Sequence, residues 1–176
     1  GGSDQFVTDT VYEGSYSLEV TPDTGPYGRT FSNDTDNYSI HEIYVYLDGN
    51  IDYYKLLCYD GDDPINGDQA YIGINSGDTG NKNLAIEPPY VYDFQDTGIS
   101  QTAGWYKLTI KALSDKTEIL INDTVVHSGS SIIPGWTKVW FQAGGGAKEE
   151  WIVNWDAHSA GAPETIAGNQ FFQFPF

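Results

Sequence analysis

The stretch Tyr38–Gly49, YSIHEIYVYLDG, alternates strictly: His41, Ile43, Val45 and Leu47 fall on one side, and Tyr44 and Tyr46 on the other, before the run closes on Asp48-Gly49. A two-residue period marks a strand with one buried face, and Asp-Gly is turn chemistry. His41 therefore reads as the first residue of a core-facing row. The same rhythm recurs outward from this strand. In AYIGIN, Ala70, Ile72 and Ile74 share a face, and in WYKLTIKAL, Tyr106, Leu108, Ile110 and Ala112 oppose Lys107, Thr109 and Lys111. TEILINDTVVHSG reads as a hairpin turning at Asn122-Asp123, a pair that tolerates the left-handed backbone of such turns. SYSLEV, TKVWFQAGGG and EEWIVNWDAHS supply further strands, and no run carries the 3.6-residue spacing of an amphipathic helix. At least eight short strands punctuated by Gly, Asp, Asn and Pro predict an all-β fold, a two-sheet antiparallel β-sandwich or jelly roll.

The composition fits one folded domain. The chain has 176 residues, 39% hydrophobic and 15% aromatic with 13 tyrosines, long enough to bury a core without cross-links. Its single cysteine, Cys58, forms no intrachain disulfide and sits among apolar residues in YYKLLCYD, where a buried, inert thiol is expected. Net charge is −17, and Arg29 is the sole arginine, so a phosphate backbone is repelled and nucleic acid is excluded as a partner. No run reaches the roughly 18 apolar residues of a membrane span. The start at Gly1-Gly2-Ser3 and the lack of methionine suggest a processed segment. With sequons at Asn33, Asn37 and Asn122, candidate glycosylation sites, this points to an extracellular or cell-surface location.

After residue 159 the texture changes. The sandwich is expected to occupy residues 1–159 and AGAPETIAG, 160–168, to be a linker. NQFFQFPF, 169–176, alternates Phe172, Phe174 and Phe176 with Gln173 and Pro175. This apolar strand either edges its own sandwich or adds to the sheet of a neighbour, making a homo-oligomer through residues 169–176.

Three constellations carry candidate chemistry. The loop DGDDPINGD places Asp60, Asp62, Asp63, Asn66 and Asp68 within nine residues. Calcium takes six to eight oxygens at about 2.3–2.6 Å, which such a loop can supply, and without a counterion its carboxylates repel one another. A solvated cluster of Asx turns is the other account of the same loop. Parity sends Tyr44, Tyr46, Tyr71, Trp105 and Trp140 away from the core, a candidate aromatic platform for a glycan or surface polysaccharide. His127 and His158 have no second His or Cys at ligand spacing, which argues against zinc.

In order, EGSYSLEV, NYSIHEIYVYLDG, GWYKLTIKA leading into TEILINDTVV, and WIVNWDAHS resemble the elements of concanavalin A-like, laminin-G-like jelly rolls, a likeness spanning Val11 to Ser159. The resemblance implies a fold that hosts calcium-dependent glycan binders, adhesive and structural domains, glucanases and polysaccharide lyases. It also implies a calcium ion tying the N-terminal strand to the last one, here through the backbone near Glu13–Ser15 and the side chain of Asp156. The Glu-x-Asp-x-x-Glu strand of the glucanases is missing. Arg29-Thr30, Ser39-Ile40-His41 and Trp140-Phe141-Gln142-Ala143-Gly144 resemble alginate-lyase motifs, but Gly146 stands where the catalytic tyrosine is expected and Lys148 where the motif ends in glutamine. The expectation is a non-catalytic, calcium-stabilised carbohydrate-binding or adhesion module. A structural subunit of a surface layer or filament and a lyase-like enzyme are the alternatives.

Overall fold

The computed structural model describes residues 3–12, 14, 17–21, 27–32, 40–51, 53–60, 69–130, 138–143 and 153–161. Their strands are β1 (Ser3–Val7), β2 (Ser17–Thr21), β3 (Tyr27–Ser32), β4 (Ile40–Leu47), β5 (Tyr53–Asp60), β6 (Gln69–Asn75), β7 (Asn83–Glu87), β8 (Gln95–Ser100), β9 (Gly104–Ala112), β10 (Thr117–Ile121), β11 (Thr124–Gly129), β12 (Lys138–Ala143) and β13 (Val153–Gly161). One helical turn, α1 (Ser76–Thr79), joins β6 to β7. The strands form two antiparallel sheets, a seven-stranded one ordered β1-β2-β13-β4-β9-β10-β11 and a six-stranded one ordered β3-β12-β5-β6-β7-β8.

The alternation read in the sequence is the packing. Ile43, Val45 and Leu47 of β4 and Leu108, Ile110 and Ala112 of β9 are fully buried on the seven-stranded side, facing Leu56, Ala70, Ile72, Ile74 and Leu84 of the other sheet. Each such valine, leucine or isoleucine side chain withdrawn from water contributes about 1.5–3 kcal/mol before ordering costs. His41 continues the inward row of β4 at 1% exposure.

Loops are set by named residues. Gly49, just after β4, has φ +88°, and a Cβ there would lie 2.9 Å from the Ala103 nitrogen, so the turn needs glycine. Gln101 binds three backbone groups: its Oε1 accepts from Ile51 N at 2.9 Å, and its Nε2 donates to Ile51 O at 2.7 Å and Lys82 O at 3.0 Å. The Tyr106 ring lies in the core, and its hydroxyl accepts from Thr102 N at 2.7 Å and donates to Thr102 O at 3.0 Å. Asn122 and Asp123 have φ +49° and +61°, the left-handed pair expected of the β10–β11 hairpin.

Candidate functional site

The site lies on the outer face of the seven-stranded sheet, where β4 and β9 run side by side. Their register sets Tyr46 opposite Trp105, Tyr44 opposite Lys107 and Glu42 opposite Thr109. Directly opposed residues share a face, so two rows of side chains stand together there. The Tyr46 and Trp105 rings meet edge to face, with centroids 5.5 Å apart and planes at 70°. Tyr12, from the segment between β1 and β2, reaches past β2 and β13 to this face. Its ring stacks on Tyr44 at 3.7 Å with an interplanar angle of 15° and meets Trp105 edge-on at 5.7 Å. Tyr12 itself is 43% exposed, so the four rings form a built surface whose uppermost member meets water.

A polar group adjoins the rings. Lys107 Nζ lies 3.0 Å from Glu42 Oε2 and 2.8 Å from Asp123 Oδ1, and Thr109 Oγ1 donates to Glu42 Oε2 at 3.1 Å. The β10–β11 turn brings Asp123 here because Asn122 continues the ladder on β9: its N–H donates to Lys107 O at 2.8 Å, and its Oδ1 accepts from Lys107 N at 2.9 Å. Burial opposes the charge on Lys107, but hydrogen bonds to the Asp123 and Glu42 carboxylates outweigh it and hold the ammonium well above the usual lysine range. Burial, then the hydrogen bond with Tyr12, pushes the Tyr44 phenol up to about 12. Tyr44 therefore stays a neutral hydrogen-bonding group at ordinary pH, as an uncharged platform requires.

Of the five aromatics singled out by parity, the fold unites Tyr44, Tyr46 and Trp105. Tyr71 points away from the main core, but it does so on β6 of the other sheet, where it is 5% exposed and packs with Ala85 and Phe94. Trp140 also belongs to that sheet, on β12 opposite Thr30 and Cys58. Tyr12 was not legible, since it lies outside any alternating run; only its exposure and its stack reveal it.

The predicted metal loop falls largely on residues 61–68, which with Glu13 and Ser15 lie outside the described residues, as do Asn33, Asn37 and residues 162–176. Asp60 ends β5, and Asp156 sits on β13 opposite Tyr44 in register. Among the described residues no three His, Cys, Asp or Glu side chains form a metal cluster. Asn122 is exposed at its turn. The lyase-like residues are separated: Arg29 is on β3 of the six-stranded sheet, opposite Phe141, while His41 is buried on β4 of the seven-stranded one. Among the described residues no helix is long and apolar enough to cross a membrane.

No protein-family model matches the chain, and no curated protein sequence matches it. Solved structures do. A carbohydrate-binding module from Bacillus subtilis shares 8% identity at a TM-score of 0.51, over 92% of this chain and 96% of that one. A tetrameric galectin from the ball sponge Cinachyrella sp. shares 11% at 0.51, over 76% and 99%. An alginate lyase shares 11% at 0.53, over 91% and 84%. At such identities the likeness is one of architecture, and with the two antiparallel sheets above it establishes the fold of this chain as a concanavalin A-like jelly roll.

Proposed function

We propose that the chain is a non-catalytic, extracellular carbohydrate-binding module that holds its glycan on the outer face of the seven-stranded sheet. The observation that carries this reading is the joined group of Tyr12, Tyr44, Tyr46 and Trp105 beside Lys107, Glu42 and Asp123. Sugar rings present apolar C–H faces that pack on aromatic surfaces, while their hydroxyls need donors and acceptors at the rim. Solved structures of the same fold include a carbohydrate-binding module and a galectin, which adds support. The absence of catalysis is supported by the burial of His41 and by the placement of Arg29 on the other sheet.

The proposal includes a calcium ion bound by Asp60, Asp62, Asp63, Asn66 and Asp68, with Asp156 as candidate ligand of a second. The support is the concentration of four aspartates in nine residues of a chain whose net charge is −17. The test is binding of the whole chain to a broad glycan array in millimolar calcium, repeated with a chelator and with Trp105→Ala. Saturable binding to one sugar class that Trp105→Ala abolishes supports the module; silence throughout refutes it. Loss on chelation supports the ion, and indifference to chelator removes it.

A structural subunit assembling through residues 169–176 is a second reading, favoured by one feature. Among the described residues β11 ends the seven-stranded sheet, bonded only to β10, and its Val125 is 50% exposed. Such an edge accepts a further strand. Deleting residues 162–176 should abolish assembly, read as particle size by light scattering; assembly that survives the deletion removes this reading.

A further inference from the structure

Among the described residues, the lysines on this face of β9 and beside it are compensated. Lys107 is held between Glu42 and Asp123. Farther along β9, Lys111 Nζ is 3.8 Å from the carboxylate of Glu118 on β10; Lys116 Nζ, in the β9–β10 connection, is 2.6 Å from it, and Asp115 acts on Lys116 as a further negative charge. Three ammonium groups thus face four carboxylates. A uronate or sulfate ester needs an unsatisfied cation to offset its lost hydration, and here each cation is already paired within a chain of net charge −17. An uncharged sugar meets no such penalty. It can pack on the four rings and donate hydroxyl hydrogen bonds to Asp123, whose side chain is 73% exposed.

We propose that the platform selects neutral glycans, and that Glu42 and Asp123, by flanking Lys107, exclude uronates and sulfated sugars. This rests on the carbohydrate-binding reading above and adds the charge class of its ligand.

The experiment is affinity electrophoresis of the whole chain in gels containing a neutral β-glucan, a mannan, a xylan, polyguluronate or polygalacturonate. It compares the native protein with Trp105→Ala and with the double variant Glu42→Gln, Asp123→Asn, which keeps side-chain shape while freeing the Lys107 ammonium. The native protein should be retarded by a neutral polymer and by neither uronate, and Trp105→Ala should lose that retardation. The double variant should gain uronate binding of about tenfold at low salt that fades as salt is raised. Uronate binding by the native protein equal to or tighter than its neutral binding would overturn the selectivity while leaving the carbohydrate-binding reading intact. A double variant still blind to uronates would overturn the roles of Glu42 and Asp123. If no polymer of either class retards the native chain, the carbohydrate-binding reading fails and the selectivity with it.

Discussion

Tyr12 lies ring on ring over Tyr44, 3.7 Å away and inclined by 15°, although the sheet order puts two strands between the segment that carries Tyr12 and the strand that carries Tyr44. The contact fastens the segment between β1 and β2 onto the middle of the seven-stranded sheet. An aromatic pair of this kind is worth about 0.5–1.5 kcal/mol beyond the area it buries. Tyr12→Ala should cost at least about 0.5–1.5 kcal/mol in chemical unfolding, since the buried part of the ring is lost as well. The Tyr44 phenol, now near 12, should titrate closer to 10, because the Tyr12 hydroxyl no longer bonds it and less of it is buried. Carbon-13-labelled tyrosine followed by NMR through alkaline pH reads the shift; an unmoved Tyr44 resonance would contradict the stack.

Lys107 and its partners should differ in weight. The side chains of Lys107 and Glu42 are 21% and 19% exposed, whereas Asp123 is 73% exposed. Removing Lys107 leaves Glu42 half-buried and uncompensated, so Lys107→Ala should destabilise by about 1–2 kcal/mol. Asp123→Asn, which keeps a residue at ease with positive φ, should change stability by less than about 0.5 kcal/mol. Urea unfolding of both variants gives the comparison, and equal costs would refute the ranking.

Gln101 should be the most sensitive loop residue. Its side chain bonds both backbone groups of Ile51 and the carbonyl of Lys82. Gln101→Leu fills similar space but leaves those groups without partners, at a cost of about 1–3 kcal/mol. A fall in the urea midpoint with unchanged slope is the expected outcome.

His127 gives the chain a pH dependence. Burial depresses its pKa below the ordinary 6.5, and its Nε2 is buried with no hydrogen-bond partner. The unfolded chain therefore binds the proton more readily than the folded one. The stabilisation is complete above the unfolded value of 6.5 and is lost as pH falls below it toward the folded value. Unfolding measured from about pH 5 to about pH 8 should show this slope, and His127→Leu should flatten it. A slope unchanged in the variant would assign the dependence to other groups.

Much of the fold could be read from the chain because burial is periodic. The inward row of β4 and the left-handed turn at Asn122-Asp123 follow from local pattern and backbone chemistry alone. The site was legible only in part. Parity says whether Tyr44, Tyr71 and Trp105 point in or out, but the assignment of β6 and β9 to different sheets depends on long-range pairing that no window of sequence contains. The Lys107 group was invisible for the same reason: Glu42 and Lys107 lie on separate strands, and Asp123 enters through a hairpin folded back on β9.

The place of β13 has a bearing on biosynthesis. Residues 153–161 sit between β2 and β4, pairing Leu18 with Trp155 on one flank and Val45 with Trp155 on the other. A chain emerging from the ribosome has made both neighbours long before the strand that belongs between them. Until residues 153–161 arrive, two strand edges stand open and the sheet is split into a pair, β1-β2, and a group of four, β4-β9-β10-β11. Closing so large a separation along the chain is slow, and open edges are where nascent chains associate wrongly. The carboxylates of this acidic chain, repelling one another between copies, would keep those half-made sheets apart while they wait.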